Sequence, residues 1–212
     1  VVGSAVADNQ RIDAPSGVVR GYDVRSGRLV WAFDLAPPDF DYATGLVSEA
    51  GYALGTPNVW SGFAVDQPRD MVFLPTGNPA PDYARNPGPD MAHYGSSVVA
   101  LRGSTGELIW HFKTVERDFW DFDVPSIPSL VDLQLAGRSV PALIQSTKMG
   151  FIFLLNRETG EPVIEVERRE VPRFGPLKDQ LSPTQPFPPE AFQVSRRYEK
   201  GRSPMGLCSS ME

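Results

Sequence analysis

Apolar residues in this chain fall in short runs, not in long helical periodicities. GVV at 17–19, MVFL at 71–74 and SVVAL at 97–101 are dominated by β-branched, aromatic and other apolar residues. Short runs of this kind, bounded by turn residues, predict strands. With 19 Gly and 21 Pro among 212 residues, the turn-formers come so often that long helices have little room. The pattern predicts an all-β protein.

A repeat organises the strands. GYDVRSGRLVW (21–31), ALRGSTGELIW (100–110) and LLNRETGEPVI (154–164) share one plan. Each has a small or apolar residue, a tight turn ending in Gly27, Gly106 or Gly160, and a bulky apolar residue four positions later. Each reads as strand, turn and strand, with Gly supplying a positive φ. Repeats of this length predict propeller blades of four antiparallel strands. The middle blade spans 58–115, with strands over 60–66, 71–76, 96–101 and 107–114 and a long loop over 77–95. A first, partial blade over 1–34 holds strands at 18–24 and 29–33. A third runs over 125–167, with strands starting near Ile127, at 140–145, at 150–156 and ending near Glu167. The partial propeller so defined covers 1–171. The remainder, 172–212, is Pro-rich and charged without a legible period, and reads as an irregular tail. A closed propeller needs about 4–8 blades, so the chain reads as a fragment of one.

Charge and composition narrow the function. A formal net charge of −6 argues against nucleic acid as a partner. No apolar run is long enough for a membrane span, and Val1 opens in what reads as mid-domain sequence with no signal peptide. The single Cys208 excludes an internal disulfide. His93 and His111 lack metal-ligand spacing and read as surface or packing residues.

The polar residues that stand out fall at one end of the blades. In an up-and-down sheet, the loop between second and third strands lies at the same end as the entry to the first. Asp8 and Asn9 precede a third strand, and Trp60 opens a first strand. Asn78 sits in a second-to-third loop, Asp121 in an interblade connection, and Lys148 in another second-to-third loop. Each has an ordinary alternative: Trp60 as a core aromatic, Asn78 as a turn residue, Asp121 and Lys148 as solvated loop charges. Trp31 and Trp110 already fill the repeat positions, which leaves Trp60 and Trp120 over. Trp120 is assigned a structural role.

The segments SGVVRGYDVRSGRLVWAFD, TPNVW, FWDFDVPSIPSLVD, STKMGFIFLLNRETGE and SPTQPF, in this order, resemble the membrane-bound dehydrogenases that use pyrroloquinoline quinone (PQQ) and act on glucose, quinate, shikimate and related polyols. The Gly27/Trp31 and Gly106/Trp110 pairs are similar to the tryptophan-docking motif that ties blade to blade in that family's eight-bladed propeller. The third copy departs from it, with Ile164 in place of Trp, and Arg102 and Asn156 stand where Asp is usual. The resemblance implies PQQ and Ca²⁺ as cofactors. It makes Trp60 the stacking floor under PQQ, Asp121 the general base and a metal contact, and Lys148 the cation at the quinone oxygens. It makes Asn78, eighteen residues after Trp60, a metal ligand, and matches Asp8 and Asn9 to a pair near metal and cofactor. It further implies a small-molecule alcohol or polyol substrate and ubiquinone as electron acceptor. The location it implies is periplasmic, at the inner membrane, through a segment outside this chain. Two other readings stay open: a non-catalytic propeller scaffold, which has no reason to keep Asn78, Asp121 and Lys148 together, and an inactive truncated product.

Overall fold

A computed structural model describes residues 1–83 and 90–194; Cys208 and the other residues after 194 lie outside the described residues. The architecture is a row of antiparallel sheets. β1 (Val19–Tyr22) and β2 (Leu29–Phe33) pair as the first sheet, and Val2 bridges to Arg20 alongside them. The second sheet is a complete four-stranded meander of β3 (Ala64–Asp66), β4 (Met71–Pro75), β5 (Ser97–Arg102) and β6 (Leu108–Lys113). The third contains β7 (Ser129–Leu135), β8 (Arg138–Ser146) and β9 (Ile152–Asn156). No helix among the described residues is long and apolar enough to cross a membrane.

The middle sheet is covered on both faces, and the two-residue period of a strand explains how. Val72 and Leu74 of β4, with Val99 and Leu101 of β5, pack with Val19, Trp31 and Leu35. Their alternates Met71, Phe73, Val98 and Ala100 pack with Trp110, Leu143, Phe153 and Leu155. β4 therefore reads as an unbroken apolar run and is buried throughout. At about 1.5–3 kcal/mol per large buried side chain, these two interfaces are the main adhesive between blades.

The repeat turns lock the blades together. Trp31 donates its indole N–H to the carbonyl of Gly103 in the next blade at 2.9 Å, and Trp110 donates to that of Arg157 at 3.0 Å. In all three turns the glycine N–H returns to the carbonyl four residues back, at Asp23, Arg102 and Asn156. Asp23 and Asn156 also accept turn N–H groups with their side chains, at 2.8 Å from Ser26 and 2.8 Å from Glu158.

Three details differ from the sequence reading. The first strand of the middle blade begins at Ala64, not Trp60, and residues 60–63 form its approach. The third sheet stops at three strands: after β9 the chain makes only the isolated Leu155–Pro162 bridge, held by the Val163 N–H to the carbonyl of Leu154 at 2.8 Å and the Asn156 N–H to that of Glu161 at 2.7 Å. The residues near Glu167 instead form β10 (Glu167–Glu170), which pairs with β11 (Thr184–Phe187). So the stretch after 172 is not wholly irregular. β11 contains Pro186, opposite Arg168 in a two-stranded sheet that tolerates a missing donor.

Candidate functional site

Four separate segments deliver polar side chains to one end of the sheets. They are the approach to β3, the β4–β5 loop, the β6–β7 connection and the β8–β9 turn. Backbone hydrogen bonds tie them: Gly77 N–H to the carbonyl of Asn58 at 2.8 Å, and Val124 N–H to that of Thr76 at 3.2 Å.

The β6–β7 connection owes its shape to Asp118, which is buried. One of its oxygens accepts the Trp120 N–H at 2.9 Å, the other the Phe122 N–H at 2.7 Å. Between those two anchors Asp121 takes a left-handed backbone, φ 58°, a conformation Asp tolerates better than most residues. The result turns Asp121 and Asp123 toward the other loops.

Asp123 is the centre of the cluster. One oxygen accepts the backbone N–H of Asn78 at 2.7 Å; the other accepts the indole N–H of Trp60 at 3.0 Å and lies 3.4 Å from the ammonium of Lys148. Lys148 also donates to the Asp121 carbonyl at 2.9 Å and pairs with the Asp121 carboxylate at 3.1 Å. Burial and the neighbouring Asp121 push Asp123 up to about 6, against the pull of Lys148 and the two N–H donors. Burial alone lowers Lys148, but Asp123 and Asp121 outweigh it and its net shift is upward.

Trp60, Asn78, Asp121 and Lys148 are thus brought together. Asp8 joins one step removed: it accepts from the Asn58 side chain at 2.7 Å, two residues before Trp60. Its backbone carbonyl accepts the Asp82 N–H at 3.2 Å. Asp82 is pushed up to about 7 by burial and by the carboxylates of Asp8, Asp121, Asp123 and Asp118. Asn9 is exposed beside Asp8 and takes no part in these bonds. Trp120 is half exposed instead of packed in a core, 6.1 Å from the Phe122 ring. His93 and His111, far apart in sequence, meet with ring centroids 4.8 Å apart beside Tyr94, away from the cluster, in a packing role.

Sequence reasoning passed over Asp123, Asp118 and Asn58. Local spacing does not mark them: the left-handed backbone at Asp121 breaks the two-residue alternation that would relate Asp121 to Asp123.

The arrangement suits a flat, electron-accepting cofactor. Trp60 remains 43% exposed although its N–H is anchored, so a ring face is open for stacking. The Asn78 side chain is buried, with an amide nitrogen lacking a partner. Among the described residues its oxygen accepts only from the Ser96 hydroxyl, at 3.1 Å, and that hydroxyl is closer to Asp118, at 2.7 Å. Oxygens of Asn78, Asp121 and Asp8 are the donor type a calcium ion takes. Among the described residues no three His, Cys, Asp or Glu side chains converge on one metal position, so these oxygens supply part of a coordination shell at most.

Comparison with known proteins agrees with this chemistry. Residues 1–205 match the family described as PQQ: glucose/ethanol/alcohol dehydrogenase, β-propeller domain. The chain is 37% identical to the quinoprotein glucose dehydrogenase of Escherichia coli strain K12, over 92% of this chain and 24% of that protein. It is 44% identical to the glycerol dehydrogenase large subunit of Gluconobacter oxydans strain 621H, over 88% and 25%. With the quinate/shikimate dehydrogenase (quinone) of Acinetobacter baylyi it shares 38% identity, over 94% and 25%. It therefore spans about a quarter of the length of these relatives. Among solved structures, the quinohemoprotein alcohol dehydrogenase of Comamonas testosteroni superimposes with a TM-score of 0.60 at 22% identity, over 86% of this chain and 29% of that one, a likeness of fold. The chain belongs to the β-propeller family of PQQ-type glucose/ethanol/alcohol dehydrogenases.

Proposed function

We propose that the full-length protein containing this chain oxidises a polyol, sugar or cyclic hydroxy acid with PQQ and calcium and passes the electrons to a quinone such as ubiquinone. One observation carries the reading: Trp60, Asn78, Asp121 and Lys148, from four separate segments, meet around Asp123. A propeller serving only as a scaffold has no use for that convergence.

PQQ, when bound, supplies the two-electron acceptor, and calcium the Lewis acid. The chain's residues do the rest. Trp60 offers a ring face held at its N–H edge. Lys148 presents a positive charge where negative charge accumulates. Asn78, Asp121 and Asp8 offer oxygens to the cation, and Asn9, the exposed neighbour of Asp8, is assigned to the cofactor. Asp121 accepts the hydroxyl proton of the substrate as hydride leaves the carbinol carbon. Relatives named for glucose, glycerol and quinate or shikimate support a hydroxyl-rich substrate, and the relative named for a quinone supports the acceptor. The proposal includes a periplasmic site of action at the inner membrane, which a fusion to a reporter active only after export checks.

The test is reconstitution of the full-length apoprotein with PQQ and calcium, followed by dye reduction with glucose, glycerol, quinate and shikimate. Turnover with at least one of them, dependent on both additions, is the expected result. Full turnover without PQQ overturns the reading.

A further inference from the structure

Asp123 has no assigned part in the chemistry, yet it bonds three of the four residues gathered at the candidate site, Trp60, Asn78 and Lys148. The residue is nearly buried, at 6% exposure. It faces three donors of three kinds: a backbone N–H, an indole N–H and an ammonium. Only an acceptor-only group with two oxygens satisfies all three at once; an amide in its place turns one of its ends into a donor. The surroundings are built to this contact. A β-carbon on Gly77 would stand 3.0 Å from the Asp123 oxygen and 3.2 Å from the Trp60 indole nitrogen, so a larger residue there must displace the pair by a few tenths of an ångström. The next residue, Val124, is pinned to the end of β4.

We propose that Asp123 is the positioning residue of this site: its carboxylate fixes the ring of Trp60, the Asn78 loop and the ammonium of Lys148 relative to one another. The proposal rests on the functional reading above for its consequence, and on geometry alone for the contact. Asp123 also sets how Lys148 divides itself. With two carboxylates to share, the ammonium does not collapse onto Asp121. Without Asp123's charge it pairs with Asp121 alone.

The experiment uses the full-length protein and the variants Asp123→Asn, Trp60→Phe, their double variant and Gly77→Ala. PQQ affinity is read from quenching of tryptophan fluorescence in apoprotein. Asp123→Asn weakens PQQ binding roughly ten- to hundredfold, the span of a hydrogen bond to a charged group. Gly77→Ala, which wedges a methyl group between Asp123 and Trp60, weakens it in the same direction and serves if Asp123→Asn does not fold. In a Trp60→Phe background the Asp123→Asn loss shrinks, because the shared hydrogen bond is already gone; a purely structural role gives additive losses. A second readout needs no cofactor. In protein labelled with ¹⁵N at tryptophan, the Trp60 indole signal, identified by its absence in Trp60→Phe, shifts and exchanges faster with solvent in Asp123→Asn. Unchanged PQQ affinity in Asp123→Asn and Gly77→Ala, or fully additive losses, overturns the proposal. An unmoved Trp60 signal overturns it as well. Failure of the wild-type protein to bind PQQ sinks the functional reading instead, and the indole signal then decides on Asp123 alone.

Discussion

The indole of Trp110 lies so close to Gly160 that a β-carbon there would stand 2.6 Å from its Cδ2, and Trp31 stands in the same relation to Gly106. Gly160 is required twice over, since its φ of 75° also lies in the left-handed region. Gly51 separates the two requirements: its φ is 80°, but nothing lies within 4 Å of a β-carbon built on it. Gly51→Ala in the full-length protein therefore costs only the backbone term, about 1–2 kcal/mol. Gly160→Ala adds displacement of the Trp110 ring, typically a further ~1–3 kcal/mol for overpacking. Denaturant unfolding of the two variants side by side checks the order. Equal losses would mean that the ring yields freely.

These docking positions were legible in the sequence because a turn and the strand after it are fixed by local spacing. The same holds for the end of the blade on which Trp60, Asn78, Asp121 and Lys148 gather, since strand alternation decides it. Asp123 was not legible. Three aspartates lie within six residues, and which of them points inward depends on Asp118 capping two N–H groups and on the left-handed turn at Asp121. The pairing of β10 with β11 was hidden for a different reason. Its two strands are joined by a Pro-rich loop without a repeat or a tight-turn signal, and Pro186 sits within β11, opposite Arg168, where a two-stranded ribbon tolerates it.

His111 makes the protein sensitive to mild acid. It packs against His93 and Tyr94. Burial, then His93 and Lys113, push its pKa down to about 4, with Glu116 opposing. Free histidine titrates near 6.5. Between those values the unfolded chain binds a proton that the folded chain refuses. Stability from this group is therefore full above about pH 6.5 and is lost as pH falls toward 4. His111→Phe flattens that part of the stability profile by an amount on the order of 1 kcal/mol, reduced because the ring is partly exposed. Thermal melting between pH 4 and pH 7 measures it, and a profile parallel to wild type refutes it.

Arg157 links two blades with both its ends. Its carbonyl receives Trp110, and its nearly buried guanidinium lies 2.9 Å from Asp66 and 2.5 Å from the exposed Asp132. Asp66→Ala leaves that charge with Asp132 as its one carboxylate partner among the described residues and destabilises by about 1.5–3 kcal/mol, the worth of a polar contact to a charged group. Replacing both members, Asp66→Leu with Arg157→Met, costs markedly less. Urea unfolding of the single and double variants tests the pair. A single variant within about 0.5 kcal/mol of wild type, as for an ordinary surface change, shows that water reaches the guanidinium.

Asp121 and Lys148 touch each other, but they fail differently when altered. Asparagine adopts the left-handed backbone at 121 at least as well as aspartate, and its side-chain oxygen can still receive Lys148. Asp121→Asn therefore preserves the loop and the cofactor platform while removing the group that accepts a proton. Turnover falls by roughly 10²–10⁴-fold, the usual worth of general base catalysis, while PQQ affinity stays within a few-fold of wild type. Lys148→Ala removes the only ammonium bonded to both Asp121 and Asp123 among the described residues. Two carboxylates are then left facing each other without it, and a reduced cofactor loses its nearby positive charge. Affinity and rate fall together. The two variants are compared in full-length protein by PQQ titration of the apoprotein and by dye reduction with saturating cofactor. An Asp121→Asn enzyme as fast as wild type removes Asp121 as the base. A Lys148→Ala enzyme with unchanged PQQ affinity removes Lys148 from the cofactor site and leaves it as a partner of Asp121 alone.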